Sequence, residues 1–64
     1  MTVQEFRALR FGDRIRLENE EAEVMTNDGV EISVRWIMTG AVTRYPATET
    51  WGASVFAPRF ERVR

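Results

Sequence analysis

At 64 residues, 44% of them hydrophobic and 30% charged, with a formal net charge of −1, the chain has room for one core and predicts a single domain over residues 1–64. It holds no Cys and no His, which excludes disulfide staples and the common metal-ligand sets, and no stretch reaches the roughly 20 apolar residues of a bilayer span. All nine basic residues are Arg, yet the near-neutral total argues against a dedicated binder of phosphate backbones.

Thr2 and Glu5 have the spacing of a capping box, which predicts a short helix from Val3 to about Leu9 with Val3, Phe6 and Leu9 along its apolar side. Gly12-Asp13 signals a turn, and Arg14, Ile15, Arg16 and Leu17 alternate as a first half-buried strand. After a turn at Asn19-Glu20, Ala22, Val24 and Thr26 share one side of a second strand, and Glu21, Glu23 and Met25 share the other. Asn27-Asp28-Gly29 tolerates positive φ and predicts a hairpin. The central strand is then expected from Val30 to Met38, with Val30, Ile32, Val34, Trp36 and Met38 inward and Glu31, Ser33, Arg35 and Ile37 outward. Trp36 is accordingly expected in the core.

From Thr39 to Trp51 the pattern reads as a long loop, with Ala41 to Tyr45 at most a short extension of the hairpin and Pro46 ending any ladder. A fourth strand is expected from Trp51 to Phe56, in which Gly52 marks a bulge or a close approach of backbone. Ala57-Pro58-Arg59-Phe60 reads as a 3-10 turn and Glu61 to Arg64 as a short closing strand with Val63 inward.

The fold class predicted is mainly β: a five-stranded antiparallel barrel with a short N-terminal helix and a 3-10 turn before the last strand. Leu9 with Gly12-Asp13-Arg14-Ile15-Arg16 at the front, and Ala57-Pro58 with Glu61-Arg62-Val63 at the back, resemble the opening and closing strands of small SH3-like barrels. That resemblance implies a fold and no particular activity. Gly12-Asp13-Arg14 and Glu61-Arg62-Val63 also resemble the ends of plasmid-borne type II dihydrofolate reductases. That family lines its tetramer pore with a Val-Gln-Ile-Tyr run, and the matching place here reads Ser54-Val55-Phe56-Ala57.

Ser33 and Ser54 have no base beside them in the sequence and no Gly-rich phosphate loop occurs, so no catalytic constellation and no cofactor are expected. Six acidic residues and no basic one fall between Glu18 and Glu31. Their irregular spacing suits a solvated acidic edge better than a calcium loop. Ile37, Tyr45, Pro46 and Trp51 are the candidate protein-binding residues, because aromatics around a long loop of a small barrel offer a rigid contact surface. Arg14, Arg16, Arg35, Arg59, Arg62 and Arg64 are the candidate nucleic-acid-binding residues. The leading expectation is a non-enzymatic protein-interaction or accessory module, cytoplasmic and with no membrane association. Its size and Arg usage suit a phage or mobile-element product. A nucleic-acid accessory protein and a homo-oligomer, including the reductase-like tetramer, are the alternatives.

Overall fold

The computed structural model describes residues 1–48 and 52–63. Helix α1 (Val3–Arg7) begins with the capping box expected: Thr2 Oγ1 accepts from Glu5 N–H, and Glu5 accepts from Thr2 N–H. These two bonds satisfy N-terminal donors that a helix this short cannot pair internally. Phe6 and Leu9 are the residues that α1 and its following turn bury.

Five antiparallel strands follow: β1 (Arg14–Leu17), β2 (Glu20–Asn27), β3 (Glu31–Trp36), β4 (Val42–Pro46) and β5 (Glu61–Arg62). They form one sheet in the order β4-β3-β2-β1-β5, so successive strands are neighbours and the last returns to pair with the first. The sheet is open, with β4 and β5 at its edges among the described residues, where the sequence led us to expect a closed barrel. A 3-10 turn (Ala57–Arg59) precedes β5, as expected.

Three departures from the sequence reading have physical causes. The fourth strand is Val42–Pro46, inside the expected loop, whereas Gly52–Phe56 forms a short helix, α2. Pro46 ends β4 and does not forbid it, because it sits at the terminus of an edge strand where its missing N–H breaks no ladder bond. The second departure is an irregularity in β2 between Val24 and Thr26. This bulge inserts Met25, so that Thr26 turns outward opposite Ser33 and Asn27 turns inward opposite Ile32. The third concerns β3, which is shorter than its alternation. Val30 and Met38 lie in the turns beyond its ends and are exposed, although both were expected inside.

The core is one cluster built from Phe6, Leu9, Ile15, Ala22, Val24, Ile32, Val34, Ala47, Ala53, Ala57 and Phe60. Phe6 stacks on Phe60, and Tyr45 sets its ring edge-on to both Phe56 and Phe60 at centroid distances of 4.9 and 5.2 Å. Trp36 is half-buried at the margin of this core, short of the full burial expected, and its Nε1–H donates to Thr43 Oγ1 at 2.8 Å. Two polar anchors hold the N-terminal segment, one to the sheet and one to the 3-10 turn. Asn27 Nδ2 donates to the carbonyls of Arg7 and Leu9, at 3.0 and 2.7 Å, while its Oδ1 accepts from Gly29 N–H. The Met1 ammonium donates to the carbonyls of Ala57 and Phe60. Gly52 makes the close backbone approach expected of it, since its Cα lies against the Pro46 carbonyl.

Candidate functional site

Two surfaces were expected to bind, and the structure treats them differently. Arg14, Arg16, Arg35 and Arg44 project from the solvent face of the sheet, but the two rows that hold the first three alternate in sign. Glu23 is paired in register with Arg14 on one side and Arg35 on the other. Arg16 lies between Glu21 and Glu61, donating to the Glu61 carboxylate at 2.7 Å. That bond, the largest cause, holds the Glu61 carboxyl below its ordinary pKa and the Arg16 guanidinium above its own. Arg35 approaches Glu23 at 3.6 Å, Arg44 approaches Glu31 at 3.5 Å, and Arg62 approaches Asp13 at 3.4 Å. Four arginines (14, 16, 35 and 44) thus interdigitate with four glutamates (21, 23, 31 and 61) on the face. The pattern is a neutral lattice with no basic stripe. Arg59 lies on the 3-10 turn, outside these rows, and Arg64 lies outside the described residues.

The aromatic loop also divides. Tyr45 belongs to the inner face of β4, where burial, the largest cause, raises its phenol above the ordinary pKa. Ile37 is 42% exposed in the turn after β3, and Pro46 is half-buried at the far end of β4. Trp51 lies outside the described residues. The expected cluster of Ile37, Tyr45 and Pro46 is therefore spread over two ends and the interior of the β3–β4 hairpin.

What that hairpin does present is an open edge. The register pairs Val34 with Thr43 and Ile32 with Tyr45, and the flanking bonds run from Trp36 N–H to Ala41 O and from Ala47 N–H to Val30 O. In an antiparallel ladder the bonded pairs alternate, so Ala41, Thr43, Tyr45 and Ala47 direct their backbone groups at β3, and Val42, Arg44 and Pro46 direct theirs outward. Pro46 has no N–H, and Gly52 closes on its carbonyl. Val42 and Arg44 are left with N–H and C=O groups that no described residue pairs.

Exposed apolar side chains follow the same hairpin. Val30 (62% exposed) flanks it, and Ile37, Met38 (90%) and Val42 (58%) lie on it, so four of the six exposed large hydrophobics among the described residues fall here. Two shallow hollows of about 270 and 260 Å³ adjoin the edge and share Glu31 and Arg44 as lining; Val30 and Pro46 complete the first, and Thr26, Ser33 and Val42 help line the second. Val30, Met38, Val42 and Arg44 were not among the residues that sequence reasoning selected. Val30 and Met38 shared the inward parity of β3, and Val42 and Arg44 fell in the expected loop; the signal available was the β-prone run Val42-Thr43-Arg44-Tyr45.

The chemistry elsewhere is plain. Ser33 Oγ is hydrogen-bonded to Thr26 Oγ1, with no base in that contact. Among the described residues no group of three or more carboxylates is placed to hold a metal ion, every buried side-chain polar atom has a partner, and no helix is long and apolar enough to cross a membrane. Comparison of the chain with protein-family models, with curated proteins and with solved structures finds no match.

Proposed function

We propose that this domain is a non-enzymatic protein-interaction module that takes an extended segment of a partner along the free edge of β4. The observation that carries the reading is the backbone of Val42 and Arg44, which no described residue pairs, beside the exposed Val30, Ile37, Met38 and Val42. Edge strands of this kind are templates for strand addition, with main-chain bonds supplying affinity and alternate side chains supplying specificity. The proposal includes SH3-like kinship, supported by the meander order, the return of β5 to β1 and the 3-10 turn before it. It also includes a cytoplasmic setting, supported by the absence of Cys.

A nucleic-acid partner ranks below this because the sheet's arginines are interleaved with carboxylates, and an alternating lattice gives little net attraction for phosphate. Catalysis ranks lower still, since the hydroxyl of Ser33 is engaged by Thr26 and no base stands in that contact.

The test is selection from a displayed library of random twelve-residue peptides, followed by rebinding to Val42→Pro. The substitution removes one outward-pointing N–H, at an edge-strand position where Pro is tolerated. Ligands that bind the wild-type domain and lose most of their affinity for a folded Val42→Pro support the reading. Failure to enrich any ligand, or enrichment of ligands indifferent to Val42→Pro, refutes it.

A further inference from the structure

We infer that the segment accepted by the β4 edge is acidic at one position and apolar two residues later, reading acidic-x-apolar from N- to C-terminus; this rests on the interaction-module reading and names the ligand class of that site. The argument is the charge order of the sheet itself. Arg16 sits in a complete row, with Glu21 on one neighbouring strand and Glu61 on the other. Glu23 is likewise flanked on both sides, by Arg14 and Arg35.

Arg44 is the charge at which this order stops. Its row runs from Thr26 through Ser33 and ends on the edge, and its one described carboxylate partner, Glu31, stands back on β3 at 3.5 Å. The Arg44 side chain is 77% exposed, and a guanidinium has five N–H donors to offer. A carboxylate on an added strand, directly across from Arg44, would do for it what Glu61 does for Arg16 from β5. The next solvent-facing position of β4 is Val42, whose row ends in an exposed apolar side chain and so calls for another.

Polarity follows from the ladder. The backbone groups of Val42 and Arg44 both point outward, so an antiparallel partner meets each of them with a hydrogen-bonded pair. Such a partner runs from the Arg44 end to the Val42 end, which places its acidic residue first. A second copy of the chain is a poorer occupant. Antiparallel pairing of β4 with itself brings the two Arg44 side chains opposite each other or one diagonal step apart, and β4 has no carboxylate to separate them.

The test is titration of the labelled domain, followed by amide-resolved NMR, with a capped Thr-rich octapeptide containing Glu-Thr-Val and with its Lys-Thr-Val counterpart. Expected are shifts centred on the Val42 and Arg44 amides, with the Lys peptide about threefold weaker, in line with an exposed ion pair. Arg44→Glu is expected to invert the preference, for a total swing on the order of tenfold. Equal binding of both peptides at Val42 and Arg44 overturns the acidic-x-apolar inference while leaving the strand-docking reading in place. Absence of any shift on β4 with either peptide counts against both. Concentration-dependent shifts of those amides without peptide assign the edge to a second copy and overturn the inference as well.

Discussion

The sharpest structural prediction concerns Gly52. A Cβ added there lies 1.8 Å from the Pro46 carbonyl oxygen, 2.0 Å from its carbonyl carbon and 2.7 Å from Ala47 N. Non-bonded contacts of this kind are comfortable near about 3.5 Å, so in Gly52→Ala the start of α2 and the end of β4 must part by roughly 1.5 Å or more. Both sides of the clash are backbone, and neither has a side chain that can swing away. The displaced strand end carries the Ala47 N–H bond to Val30 O at 2.8 Å, and the displaced helix carries the Ala53 N–H bond to Thr48 O at 3.0 Å.

Overpacking costs about 1–3 kcal/mol, and the lack of a yielding side chain puts this case at the upper end. A domain this small has only about 3–5 kcal/mol in total. A loss near 3 kcal/mol lowers the thermal midpoint by about 12–24 °C, at roughly 4–8 °C per kcal/mol for this size. Gly40→Ala is the matched control. Its added Cβ meets nothing within 4 Å, but its φ is 75°, so its cost is the left-handed penalty of roughly 1–2 kcal/mol. Thermal melts by circular dichroism, with urea titration by Trp fluorescence, rank the two. The reasoning is refuted if Gly52→Ala melts at or above Gly40→Ala.

Two further outcomes follow from polar contacts elsewhere in the fold. Asn27→Asp removes both donors to the Arg7 and Leu9 carbonyls and keeps the acceptor for Gly29; we expect a loss of about 2–3 kcal/mol from two hydrogen bonds and an unsatisfied carboxylate, together with faster hydrogen exchange in α1, and unchanged exchange there would contradict it. Glu5, Asp28 and Glu61 all have carboxyl pKa values lowered in the folded state, by bonds from Thr2, by the Val30 and Glu31 amides, and by Arg16 respectively. Their stabilisation is complete above the ordinary carboxylate range of about 4 to 4.5 and is lost as pH falls through the lower folded values. The urea midpoint should accordingly fall between pH 5 and pH 3, less so in Asp28→Asn, and a midpoint flat to pH 3 would remove these groups from the account.

How far the sequence could be read depends on whether local chemistry or tertiary context decides each element. The Thr2-Glu5 box, the alternation of β1 and the centre of β3 are local signals, and each produced the element expected. Gly52 was also legible, because a Gly among small residues in an apolar run signals backbone contact. The segment from Gly52 to Phe56 was not, since a short apolar run has no periodicity that separates strand from helix. Reading it as a strand displaced β4 into a loop, even though Val42, Thr43 and Tyr45 are good strand formers. The bulge at Met25 was equally hidden, and it alone turns Asn27 inward to hold α1. Because the proposed docking edge lies on the misassigned strand, the candidates Ile37 and Pro46 fall beside it and Val42 and Arg44 were not selected.

The two edges of the sheet differ in ways that favour β4 for the proposed docking. At β5 the edge is two residues long and its side chains are engaged, Glu61 with Arg16 and Arg62 with Asp13. Short, charge-locked edges are how small β proteins prevent unwanted pairing. On β4 the same protection is partial: Pro46 and the start of α2 close one end, leaving a window at Val42 and Arg44. A window of two residues offers at most four main-chain hydrogen bonds, each with a net value of about 0.5–1.5 kcal/mol, and ordering a free peptide consumes about 1–2 kcal/mol per residue fixed. Backbone pairing alone is therefore close to neutral. What tips the balance has to come from side chains at the window, and the two that face a docked strand there are an exposed valine and an arginine whose row lacks its outer carboxylate. An edge of this size discriminates among segments by their side chains instead of pairing with any strand it meets, which is the behaviour a small interaction module requires.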